Sequence, residues 1–234
     1  MYKLLNVGRN FKTAKSDKIS EYLTAIMYMS PINTRICPFQ DIAGCKAPCL
    51  NTAGRGGMNV VQRGRLKKTN WFLDDEPSFI EQLYQDISKF VRHRARHDRK
   101  PAVRLNGTSD IQWEYKKYLG QTLFEHFPSV QFYDYTKIPT RKIADIPNYN
   151  LTWSYSAFNP KYAEYFDTAL DKGMNVAVVF NHDLPKEFKG VQVIDGDKHD
   201  LRFLDRTNVV VGLRAKGKAR KDTTGFVIHF KEVK

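Results

Sequence analysis

Three cysteines, Cys37, Cys45 and Cys49, are all the thiols the chain has, in the spacing C-x7-C-x3-C. An odd number of thiols bunched in one stretch argues against a disulfide framework, and three thiolates in one loop can hold a metal. A structural zinc site normally closes with four ligands. No histidine lies near this loop in sequence, the closest being His93, so a distant His or Asp would have to complete such a set. An iron–sulfur cluster takes cysteine thiolates as its usual ligands. A 4Fe–4S cluster held by three of them leaves one iron open for a substrate or cofactor. Iron–sulfur, zinc or another metal, and plain thiols all stay open at this point.

The residues after the cysteines are LNTAGRGGMN, 50–59. Gly54, Gly56 and Gly57 let backbone approach a ligand closely, and Arg55 among them can pair with a phosphate or carboxylate. A second set is Asp195, Asp197, His199 and Asp200 within VIDGDKHDLRFLD, 193–205. Carboxylates with an imidazole can bind a metal or move protons, which raises a hydrolase reading. The same IDGDKHD also reads as a tight turn between strands. His93 and His97 stand at i, i+4 without the glutamate of a metalloprotease helix. No phosphate-binding G-x-x-x-x-G-K and no G-x-S-x-G elbow is present.

The elements that must position these groups read as alternating strands and helices. Short apolar or β-branched runs at 21–29, 101–106, 130–135, 150–155, 175–180 and 208–213 suit strands. Helical spacing predicts helices over 77–97, roughly 111–126 behind Asp110 as N-cap, and roughly 159–172 from Asn159-Pro160 to Gly173. Near-continuous apolar strands joined by helices imply a parallel sheet. The expected fold is α/β: a partial (β/α)6 barrel of largely parallel strands, one domain over 1–234, with the cysteine-bearing loop after the first strand. An open doubly wound sheet is the other arrangement the pattern permits. Polar residues collect near the strand ends: Asn106, Thr108, Ser109 and Asp110; Asp134, Tyr135 and Lys137; Ser154, Tyr155 and Ser156; Asn181 and His182. In either architecture ligands sit at the carboxyl ends of the strands.

With 38 Lys and Arg against 25 Asp and Glu, the 234-residue chain carries a formal charge of +13. Such a surplus draws a protein toward polyanions. The bases cluster at 63–68, 92–100 and 214–221, each able to meet phosphates. Hydrophobic residues at 41% and aromatics at 13% exclude a disordered chain. The longest apolar runs are far short of the ~20 residues of a membrane span, and MYKLLNVGRNFKTAK has no signal-peptide core. The expected compartment is therefore the cytoplasm.

The segments at 37–56, 102–114, 130–139, 175–180, 193–205 and 212–226 resemble the gene product 88 family of phage proteins, over nearly the whole chain. That resemblance implies a phage protein in an infected bacterial cytoplasm and supplies no activity. The cysteine loop is also similar to that of radical SAM enzymes, which use a partial barrel with three cysteines after the first strand. Their usual spacing is C-x3-C-x2-C, tighter than here, and RLNGTSD stands where they carry Gly-Gly-Glu. This second resemblance implies that Cys37, Cys45 and Cys49 hold a 4Fe–4S cluster whose open iron takes S-adenosylmethionine. Asp110, Asp134 and Lys137 are then the catalytic candidates, and Asn106, Ser109 and Ser154 the cofactor-binding ones. The expected substrate is a nucleotide, nucleic acid or other anion, with no membrane partner. The alternative is a non-catalytic nucleic-acid-binding protein with a structural metal in the loop.

Overall fold

The computed structural model describes residues 3–8, 16–95 and 98–230. At its centre is a largely parallel β-sheet, so the α/β class expected from the alternating pattern holds. The strands are β1 (Leu5–Val7), β2 (Tyr22–Met27), β3 (Lys100–Arg104), β6 (Gln131–Thr136), β7 (Tyr149–Ser154), β8 (Asn175–Phe180), β9 (Glu187–Phe188), β10 (Val191–Asp195), β11 (Val210–Arg214) and β12 (Val227–Ile228). They lie in the order β1-β2-β3-β6-β7-β8-β11-β10-β9, with β12 beside β8. From β2 to β10 every pair is parallel, whereas β1 and β9 are antiparallel caps on the two edges. The five strands from β2 to β8 follow chain order, and then β11 inserts between β8 and β10.

Helices α1 (Asn59–Asp74) and α2 (Glu76–Ala95) make the first crossover, between β2 and β3. Phe79, Leu83, Ile87 and Phe90 recur at helical spacing on α2, and all four are fully buried. They join Met27, Val103, Leu105 and Phe132 in one core on that face of the sheet. The opposite face carries a smaller cluster, Ala102 and Tyr133 under Leu201 and Phe203. Of the histidine pair considered above, His97 lies outside the described residues.

Several local expectations need correction. Residues 111–126 are not one helix. Asp110 spends its carboxylate elsewhere, and the chain instead makes a one-turn 3-10 helix, then the hairpin of β4 (Lys117–Tyr118) and β5 (Gln121–Thr122). That hairpin turns on Leu119 and Gly120, both at positive φ. Only α3 (Leu123–His126) is helical, closed by a capping box between Thr122 and Glu125. The 159–172 helix is two, α4 (Pro160–Ala163) and α5 (Tyr165–Asp171), broken at Glu164. Its ends are as expected: Asn159 accepts from the Lys161 amide, and Gly173 stops it at φ 76°. The segment at 193–205 is no hairpin turn. It begins inside β10, a strand parallel to β11, and continues as part of the crossover between them.

None of the described helices is long and apolar enough to cross a membrane.

Candidate functional site

The cysteine loop leaves the carboxyl end of β2 and is tied down by the next loop along the sheet. The Asp110 amide donates to the Ile36 carbonyl at 2.8 Å, and the Thr108 hydroxyl to the Met29 carbonyl at 2.6 Å. At Gly44, φ is 60° and an added Cβ would collide with the Phe158 ring. Glycine is required there on both counts. The three cysteines are each half-buried and lie within electrostatic reach of one another.

Their electrostatics register that proximity. Burial pushes the Cys37 thiol far up, and Asp110, Cys45 and Cys49 push it further. Burial also raises Cys45, against the pull of the Lys137 ammonium, while Cys49 and Asp110 push up again. Cys49 is raised by burial too, and here the Asn51 amide and the Arg65 and Lys137 cations pull it partly back down. That amide donates to the Cys49 sulfur at 3.4 Å. These are thiols that stay protonated at neutral pH unless a positive centre joins them.

Two cations lie near the thiols, Lys137 by Cys45 and Cys49 and Arg65 by Cys49. Lys137, just past β6, donates from Nζ to the carbonyls of Ser154 at 2.8 Å and Tyr155 at 3.2 Å. Its ammonium lies 4.7 Å from the Phe226 ring centre. Burial pulls it down to about 8, while Cys45, Asp110 and Cys49 hold it up. Arg65 reaches back from α1 and donates to both oxygens of Asn51, carbonyl and side chain, at 2.5 and 2.8 Å. Gln62, one turn earlier, holds the Asn51 and Gly56 carbonyls at 2.8 and 2.5 Å. The glycine-rich stretch is therefore a clamped pair of 3-10 turns rather than a loose loop.

Asp110 belongs to this site. Its Oδ2 accepts the Lys137 amide at 2.7 Å, and its Oδ1 faces Arg141 at 3.6 Å. Burial nonetheless raises its carboxyl, with Arg141 the main opposing charge. Arg141 in turn grips Glu114 and the Tyr149 hydroxyl.

The other candidates fall differently. Asp134 lies within β6, not beyond it, and is fully buried. It accepts from the Asn106 amide at 2.7 Å, the Tyr149 hydroxyl at 3.0 Å and the Asn106 side-chain amide at 3.3 Å. Burial pushes it up to about 7. Asn106 spends its own side chain on the loop: Oδ1 accepts from Ser109, Ile111 and Trp113, and Nδ2 donates to the Ile111 carbonyl. Ser109 is one of those donors, and Ser154 faces Lys137 with its carbonyl. These four shape the two loops that present Asp110 and Lys137.

Asp195 and Asp197 do not converge with the cysteines. Both pair with Arg214, at 3.1 and 3.4 Å, and Asp197 also with Lys216 at 2.6 Å. His199 lies 3.6 Å from Asp205. Among the described residues, no three His, Cys, Asp or Glu side chains are grouped to hold a metal ion. The hydrolase set therefore has no geometry behind it here.

Sequence reasoning missed Arg65, Gln62 and Arg141 as site residues. Arg65 was visible only as one base of the 63–68 run, and its partners lie 14 residues upstream. The basic 214–221 run has a structural place too: its 3-10 turn, Gly217–Lys221, packs on the glycine-rich turns. A Cβ on Gly217 would lie 3.2 Å from that of Ala53.

No curated protein and no solved structure matches the chain. A family model described as Gene product 88 matches residues 3–229. The chain thus belongs to the gene product 88 family of phage proteins.

Proposed function

We propose that the loop of Cys37, Cys45 and Cys49 holds an iron–sulfur cluster, in an enzyme that acts on an anionic substrate in the host bacterial cytoplasm. The observation that carries this is that three half-buried thiols lie within electrostatic reach of one another, with Lys137 near Cys45 and Cys49 and Arg65 near Cys49, beyond the carboxyl end of a parallel strand. Zinc–sulfur bonds are about 2.3 Å, so sulfurs on one ion crowd within about 4 Å of each other. Among the described residues the three thiols feel one another's charge but are not grouped to hold a single metal ion. A cluster suits that spread, because each thiolate takes a different iron.

The donor set fits in its chemistry as well. A buried N–H donor already faces Cys49, and two cations offset the charge of three thiolates. When bound, such a cluster supplies electron transfer and an open iron, for which S-adenosylmethionine is the proposed co-substrate. Lys137 would hold an anionic group, with its ammonium fixed by two carbonyls. Asp110, whose carboxyl burial raises, is placed to hold or move a proton beside it. Arg55, Lys218, Arg220 and Lys221 form a basic rim suited to phosphate. A partial barrel closing round this site is the architecture the proposal implies.

The test is Cys45→Ala. The account expects iron and activity to be lost together. Full iron content in that variant would remove Cys45 from the ligand set.

The packing of the basic turn on the cysteine loop also favours a second reading. In it the chain binds nucleic acid without catalysis, and the thiols hold a structural metal.

A further inference from the structure

The face of the sheet away from α2 holds a polar group of its own. Strand register puts Thr24 and Ile26 of β2, Arg104 of β3, Tyr133 and Tyr135 of β6, and Asn150 and Thr152 of β7 on that one side. The 3-10 turn Arg202–Leu204 packs across β6 and β7 there. Apolar side chains close the amino-terminal half of this face, where Phe203 lies 4.8 Å from Tyr22 and 5.4 Å from Tyr133, centre to centre. The half nearer the strand ends is polar.

Two guanidinium groups are fixed in it. Arg104 pairs with Asp200 at 3.2 Å and lies 4.7 Å from the Tyr135 ring centre. The Tyr133 hydroxyl also donates to Asp200, at 3.3 Å. Arg202, only 1% exposed, pairs with Asp205 at 3.2 Å and donates to the His199 carbonyl at 2.6 Å. Around them lie buried polar atoms that take no hydrogen-bond partner: Nε of Arg104, Nε of Arg202, the Tyr135 hydroxyl, Oγ1 of Thr152 and Oδ1 of Asn150. Thr152 is itself 1% exposed. Native interiors leave few such groups, and rarely several on one patch.

All of these atoms except the Asn150 oxygen can donate. The two aspartates balance the two arginines, so bulk charge does not select the ligand. What selects it is a surplus of fixed donors, whose complement is an acceptor-rich group.

We infer that this face is a binding site for a small oxyanion-bearing ligand, a phosphate or carboxylate, held by Arg104, Arg202, Tyr135 and Thr152. The site uses no cysteine. It is joined to the thiol loop through Tyr28, which lies under Arg65 at 4.9 Å and within electrostatic reach of Arg104. A ligand here therefore sits across one tyrosine from the proposed cluster.

The experiment is a thermal-shift titration of the full chain at constant ionic strength, with inorganic phosphate in one arm and acetate in the other. The wild-type melting temperature should rise saturably in at least one arm, and the better arm names the source of the oxyanion. Tyr135→Phe/Thr152→Val removes two unpartnered hydroxyls at nearly constant shape. Without ligand it should melt at or above wild type, because dry hydroxyls stabilise nothing. Its apparent affinity should fall at least tenfold. Thr152→Val alone should move the same way by less. A surface control, Lys161→Glu/Lys172→Glu, should bind as wild type does. Absence of saturation in both arms overturns the site, as does undiminished binding in the double variant or loss of binding in the surface control. Cys45→Ala should bind phosphate normally, so failure of the cluster proposal and failure of this one are distinguishable.

Discussion

At the scale of single residues the governing fact is desolvation. Three thiols share a half-buried space with Asp110, and ionising any of them makes the next harder. Their raised folded pKa has a definite thermodynamic sign. Unfolded, a cysteine gives up its proton near 9; folded and metal-free, these keep it. The thiols thus contribute stability fully below about pH 9 and lose it as pH rises through their folded values. Lys137 works oppositely, since its folded pKa of about 8 lies below the ordinary 10.5. Comparison with the Cys37→Ser/Cys45→Ser/Cys49→Ser protein largely removes that contribution. Urea unfolding of metal-free samples should show the wild-type advantage over this variant shrinking from pH 8 to pH 10. An advantage that grows over that range would mean the thiols ionise readily when folded. Asn106 makes a second residue-scale prediction. Asn106→Ala strips partners from Ser109, Ile111, Trp113 and Asp134. It should cost about 3 kcal/mol in the same measurement. A loss of S-adenosylmethionine binding with stability intact would instead make Asn106 a ligand contact.

Elements explain which parts of the site could be read in the sequence. NVAVVF at 175–180 coincides with β8, and the other five expected runs each contain or overlap a strand of the central sheet. Buried parallel strands are apolar almost throughout, so they stand out. The fused helical prediction over 111–126 failed for a reason that spacing does not carry: Asp110 and Glu114 are committed to the distant Arg141. The helix at 59–74 went unread because Gly64 and four bases blur its apolar face, of which only Thr69 and Phe72 are buried. The strand at 191–195 was masked by the turn-like residues behind it. The cysteines were legible by count alone. Their cations, Arg65 and Lys137, come from a helix and a strand end that only the fold brings together.

For the whole molecule, the net charge of +13 acquires a direction once the basic turn is placed beside the cysteine loop. A polyanion approaching that rim displaces counterions, so binding of a single-stranded oligonucleotide should weaken steeply with salt. Each phosphate that a basic side chain neutralises adds about 0.7 to the logarithmic salt slope on a single strand. Lys218→Glu/Arg220→Glu/Lys221→Glu should therefore make that slope shallower by about 2. An unchanged slope would place the oligonucleotide elsewhere on the surface. The sheet itself links the scales: one loop beyond β2 carries the thiols, the loops beyond β3 and β6 carry Asp110 and Lys137, and the opposite face carries the arginine–tyrosine group. The central claim is that the thiol loop holds an iron–sulfur cluster. It is tested most directly by purifying the full chain without oxygen and measuring iron, acid-labile sulfide and zinc per chain. The account predicts iron and sulfide in matching amounts, with visible absorption that Cys45→Ala abolishes. Zinc alone, or no metal at all, would contradict it.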